Sequence, residues 1–324
     1  MRTVTRLLAR VDDAIEHRFI SGSRAVGAAR TLIAVAQLSI LVLTPFDAMF
    51  VPVGQWQPLV GCGSWLGQTS IFCWAPPQWA VGVLVVGLLA TATGILPRYL
   101  SWVHLYCSIS IGSVIDLPDG GDHVAMVACF WIAVATLDDR RTWHWQAPPA
   151  SSRVSSWRGV AWAGHWGLRL QIAYVYLHSG LAKLAVESWQ EGTATYYVVR
   201  MEFFGASGPI GELARWLTSI PLVALMTSWG TIAVEVALAV LLLLRAPYQR
   251  VALALAVVLH LSILVVLGLF SFGLVMIGSV LAATAWGVES WRGTRRRTPV
   301  PTDARPAPES GSAVPGQQSM DVLR

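Results

Sequence analysis

Residues 160–183 read VAWAGHWGLRLQIAYVYLHSGLAK, and the fold class turns on whether this stretch crosses a membrane. It would make a helix about 36 Å long at 1.5 Å per residue, enough for a hydrocarbon core of about 30 Å. Apolar residues dominate it, and its polar residues gather on one side. Counting back from Lys183 at about 100 degrees per residue puts His165, Arg169, Ile172, Tyr176, Ser179 and Lys183 on a single face. An arginine facing lipid costs about 2.5–3.5 kcal/mol on insertion scales, so such a face turns into a bundle and finds partners there.

Outward from this stretch, the composition agrees. Hydrophobic residues make up 55% of the chain, charged ones only 13%, and there are 16 tryptophans; the mean hydropathy is +0.56. A chain so apolar cannot cover itself with a soluble surface. Further apolar stretches lie at 25–45, 79–96, 99–115, 123–138, 221–244, 251–268 and 272–289. With 160–183 they predict an all-α polytopic bundle of about eight transmembrane helices. Basic residues mark the cytoplasmic side. They precede the first span (Arg2, Arg6, Arg10, Arg18, Arg24) and recur in alternate loops as Arg98, as Arg140, Arg141, Arg153 and Arg158, and as Arg245 and Arg250. Residues 46–78 and 116–122 have none, and 184–220 has only Arg200 and Arg215. Both termini are therefore expected in the cytoplasm of a cell-membrane protein. The sequence pI of 9.3 reflects this topology and the anionic lipid of the inner leaflet, not nucleic acid.

Three parts follow. Residues 1–23 form a cytoplasmic N-terminal segment, with Ile15, Phe19 and Ile20 beside arginines suited to an interfacial helix and no cleavable signal. Residues 24–290 form the membrane domain, and the Arg, Pro, Ser, Gly and Gln of 291–324 make a tail expected to be disordered.

Of 23 basic side chains, all are arginine except Lys183. Lysine is the cation that burial readily deprotonates, which makes Lys183 a candidate base; the plainer reading is a terminal anchor that snorkels to the interface. Glu235 and His260 each stand about 14 Å, or nine residues, from the cytoplasmic ends of their spans. Arg169 lies at a comparable depth, so an intramembrane cluster of Arg169, Glu235 and His260 is expected, either functional or setting helix register. On the outer side, Asp116-Leu117-Pro118-Asp119-Gly120-Gly121-Asp122-His123 is an acidic turn that matches no EF-hand or zinc spacing. No metal is assigned to it. Asp119, Asp122, His123 and His178 are instead candidates to pair or exchange protons with Lys183 on that side, the plainer role of Asp122 being a helix cap. Cys62 and Cys73 lie in the arginine-free outer loop, on the oxidising side, and are expected to form a structural disulfide. Cys107 and Cys129 fall within spans as packing residues.

Five ordered motifs resemble the SdpB family of membrane proteins: Gly94-Ile95-Leu96-Pro97-Arg98 with His104-Leu105-Tyr106, Asp119-Gly120-Gly121-Asp122, Leu137 through Trp145, Tyr176-Leu177-His178-Ser179 through Lys183, and Trp189 through Tyr197. They run from about 26 to 272. The resemblance implies a role in maturing a secreted antimicrobial peptide toxin of the sporulation-delaying type at the outer face, with a peptide precursor and a small companion protein as partners. A more distant likeness is to the horizontally transferred transmembrane domain of vitamin K-dependent gamma-carboxylase. Gly180, Lys183-Leu184 and Trp189-Gln190-Glu191-Gly192 repeat the order around that enzyme's catalytic lysine, with one extra residue before the tryptophan. That likeness implies Lys183 as base on another peptide or lipid-linked substrate. The large lumenal region of the carboxylase has no counterpart here. A third reading is a non-catalytic toxin-binding or immunity protein. No dinucleotide, Walker, zincin or nucleophile-elbow motif is present, and the sequence names no cofactor; a quinone would need no motif. Transport has least support, since no inverted repeat is visible.

Overall fold

The computed structural model describes residues 22–45, 49, 60–115, 120–147, 157–202 and 205–285. Asp119, most of the N-terminal segment 1–23 and the tail 291–324 lie outside the described residues. Among those described the protein is all-helical, with one isolated bridge between Ile95 and Trp143 and no strand.

Eight longer helices coincide with the apolar stretches to within a few residues. They are α1 (Arg24–Leu43), α2 (Pro77–Thr93), α3 (Pro97–Val114), α4 (Gly121–Ala135), α5 (Arg158–Lys183), α9 (Pro221–Leu243), α10 (Ala246–Leu267) and α11 (Phe270–Ala283). Three short ones, α6 (Glu187–Gln190), α7 (Ala194–Val198) and α8 (Gly208–Thr218), lie between α5 and α9. The boundaries have local causes. Ser23 caps α1 by accepting hydrogen bonds from the amides of Ala25 and Val26. Proline starts α2, α3 and α9, where its missing N–H costs nothing. Gly94 ends α2 in the left-handed region, φ 83°, which glycine enters without a Cβ penalty.

Three of these helices, α1, α9 and α10, are long and apolar enough to cross a bilayer. α2, α4 and α11 are apolar but shorter, while α5 has the length but carries the polar face read from its sequence. The outward faces of α2, α9 and α10 expose apolar side chains, among them Val83, Val86, Leu89, Leu222, Met226, Val258 and Leu261. Water would penalise such bands; lipid does not. The chain is a membrane protein.

The last helix closes on the first. α11 packs most extensively on α1 and also touches α4, α5 and α10, so it stands inside the bundle. A Cβ on Gly278 would fall 2.8 Å from Ile33 Cγ1 and 3.0 Å from the Ala29 carbonyl oxygen, so its absence lets the two helices approach. One apolar core joins α1, α3, α4, α5, α9 and α10 to α11. A second joins α1, α2 and α3, with Phe72 from the loop closed by the Cys62–Cys73 disulfide.

Candidate functional site

The polar face of α5 points into the bundle: His165, Arg169, Ile172 and Tyr176 are buried, and Ser179 and Lys183 are half-buried. At its end, Lys183 turns back one turn. Its Nζ donates to Ser179 Oγ (2.7 Å) and to both carboxylate oxygens of Glu235 in α9 (2.9 and 2.8 Å). Ser179 Oγ also donates to Glu235 Oε1 (3.2 Å), so one carboxylate gathers both residues. The indole of Trp189 covers the ammonium from the other side, 5.3 Å from ring centroid to Nζ, within cation–π range.

Local sequence explains why these groups meet. Gly180 faces α9, and a Cβ there would stand 3.2 Å from Val236 and 3.5 Å from the Glu235 Cβ, so its absence lets the two helices approach. After Lys183 the chain turns through α6, placing Trp189 over the lysine, and α7 docks on α9 through Thr195, bonded to the Ala224 carbonyl and to Ser228. α8 is tied to the same cap. Arg200 stacks on Tyr196 and donates to Thr218 Oγ1, while Arg215 donates to the Ala206 carbonyl. Residues 184–202 and 205–218 thus form a structured cover docked on α9.

The expected cluster of Arg169, Glu235 and His260 is not what the structure assembles. Arg169 spends its guanidinium on the Leu242 and Leu244 carbonyls and stacks on Trp166 at 4.1 Å. His260 Nε2 pairs with the Tyr176 hydroxyl at 2.7 Å, and Glu235 goes to Lys183. The reason is stagger. Glu235 lies fourteen residues into α9, about 21 Å along it, yet meets the last residue of α5. Counting depth from each helix's own end misaligns the two. For the same reason Lys183 takes the carboxylate of Glu235 from within the bundle. Asp122 is buried in the first turn of α4 against Gly112 of α3. His123 is exposed, and His178 is exposed beside Tyr174, with ring centroids 5.7 Å apart. Neither is among the partners of Lys183.

A second polar centre escaped the sequence reading. Within α1, Arg30 and Gln37 are buried; Gln37 bonds Ser108 (3.0 Å) and His104 (3.1 Å), and Arg30 bonds the Pro97 carbonyl and Ser101. The available signal was an arginine six residues inside the first apolar stretch. The motif Leu137 through Trp145 folds against this end as a clamp. Arg141 donates to both oxygens of Asp139 and to the His144 and Gln146 carbonyls. His144 fills the space left by Gly27 and Gly94, whose added Cβ atoms would stand 2.7 and 2.3 Å from its ring. Burial first, then the nearby Arg30 and Arg141 charges, lower its imidazole to about 4. Among the described residues no group of His, Cys, Asp and Glu is arranged to hold a metal ion.

The Bacillus subtilis (strain 168) protein named Uncharacterized protein YitO is 30% identical over 260 residues, 79% of this chain and 83% of that protein. The chain belongs to the YitO family. It is also SdpB-like: Sporulation-delaying protein SdpB of the same organism is 28% identical over 199 residues, covering 61% of this chain and 61% of its own length. No family model matches, and no solved structure gives a significant match.

Proposed function

We propose that this protein is an eight-span, multi-pass cell-membrane protein with both termini in the cytoplasm. In this reading it takes part in maturing a secreted, sporulation-delaying-type antimicrobial peptide at the outer face, with the Lys183–Glu235 pair as its working centre. The observation that carries the reading is the half-buried lysine held by one carboxylate, one hydroxyl and one indole. Every group in it except Glu235 comes from the segment 176–197 that shares its pattern with the SdpB family. An intramembrane pair of this kind marks function more often than a surface pair does. For Lys183 to accept a proton from a substrate, its ammonium must first pass one to Glu235. That leaves an amine and a carboxylic acid 2.8 Å apart; the amine takes the substrate's proton and becomes an ammonium again, and the acid gives its proton to the product or to solvent, which restores the pair.

The test is mass spectrometry of a co-expressed candidate precursor secreted by cells carrying the native chain or Lys183→Arg at matched membrane levels. A peptide whose mass or termini change only with the native chain supports the reading, and the mass difference names the reaction. Identical products with both chains would move the role to a partner. The second reading, a non-catalytic toxin-binding or immunity protein, draws on the same geometry, because an ion pair joining α5 to α9 is also a helix clamp. It expects Lys183→Arg to be harmless.

A further inference from the structure

The end of the bundle that carries the 137–147 clamp contains a cavity lined by five titratable side chains: Arg30, Asp139, Arg141, His144 and His165. Among the described residues its charges do not balance. Asp139 neutralises Arg141 through two contacts of 2.9 and 2.7 Å, and the remaining Arg141 donors reach the carbonyls of Ser23, His144 and Gln146. Arg30 has no such partner. It is 1% exposed, and its Nη1 donates to the Pro97 carbonyl and Ser101. Its Nε and Nη2 are without an acceptor, and Asp139 is the cavity's lone carboxylate among the described residues. His144 is fully buried with neither ring nitrogen bonded; one of them carries a proton in either tautomer.

Two guanidinium donors and an imidazole N–H thus line one cavity whose described side chains carry an excess positive charge. A buried unpaired guanidinium is among the costliest arrangements a fold can contain, and a counter-ion removes the cost. The cavity is about 20 Å³, room for one water or a monatomic ion. Its walls are fixed by the packing of His144 against Gly27 and Gly94.

We propose that this cavity binds one small monovalent anion of chloride size between Arg30 and His144. The ion links α1 and α3 to the clamp, and it lies apart from the Lys183–Glu235 centre. The test is thermal unfolding of the purified full chain in detergent, with chloride or bromide titrated into sodium gluconate at constant ionic strength. A saturable rise in Tm is expected with either halide. Losing two charge-assisted hydrogen bonds in Arg30→Gln weakens halide affinity by more than about tenfold. If that variant does not fold, bromide anomalous diffraction from the native protein decides, with the peak expected between the Arg30 guanidinium and the His144 ring. A Tm indifferent to halide, an equal response in Arg30→Gln, or water at this position overturns the proposal.

Discussion

Glu235 holds both Ser179 and Lys183, so neutralising it leaves a half-buried ammonium with one hydroxyl, one carbonyl and the Trp189 ring but no counter-charge in contact among the described residues. Glu235→Gln should therefore destabilise by about 3 kcal/mol, read as a fall in the Tm of the detergent-solubilised protein. Lys183→Met with Glu235→Leu should recover most of that loss; a double variant as unstable as the single would mean that the pair is not what joins α5 to α9. His144 gives a pH prediction. Its imidazole lies at about 4 in the fold against an ordinary 6.5, so between those values the unfolded chain binds more protons. Stability contributed by this residue is full above about 6.5 and drains away as pH falls through 4. Tm against pH should show this loss in the native protein and a flatter profile in His144→Asn; parallel profiles would remove His144 as the cause. At this scale the sequence was informative where a residue type stood out. Lys183 and the face of α5 could be read directly, since one helix's periodicity orders its own side chains. The partners of Arg169 and His260 could not, because carbonyls of a neighbouring helix and a tyrosine hydroxyl leave no mark in composition.

Elements meet here through small residues. Gly94→Ala would place a Cβ 2.3 Å from the His144 ring at φ 83°, combining overpacking with left-handed strain; a loss of about 2–3 kcal/mol is expected. Pairing it with His144→Ala should restore the packing part alone, so two single losses that simply add would contradict the contact. The disulfide is a second device of this scale. Joining Cys62 to Cys73, eleven residues apart, it should contribute about 3 kcal/mol by the loop-entropy account. Cys62→Ser with Cys73→Ser lowers Tm accordingly, and an unchanged Tm would show that Phe72 anchors the loop by itself. The eight helical stretches were legible because apolar runs of that length have few other readings. The bounds of the short α6, α7 and α8 were not, as their order comes from docking on α9.

For the whole molecule, the stagger of α5 against α9 decides the chemistry. It brings the end of one helix to the middle of another, puts a carboxylate beside the lysine, and leaves the upper part of α9 to carry the cover that holds Trp189. No count along single helices reveals such an offset, which is why the acidic turn before α4 looked like the lysine's natural partner. Whether the pair is a working centre or a clamp is separated by exchanging its members, Lys183→Glu with Glu235→Lys. The exchange keeps opposite charges facing each other and moves the amine to the other helix. With membrane level and Tm matched to the native chain, mass spectrometry of the secreted precursor reads the result. The account predicts a folded protein that leaves the precursor unchanged. Native-like mature peptide from the exchanged pair would contradict it and reduce Lys183 and Glu235 to a structural clamp.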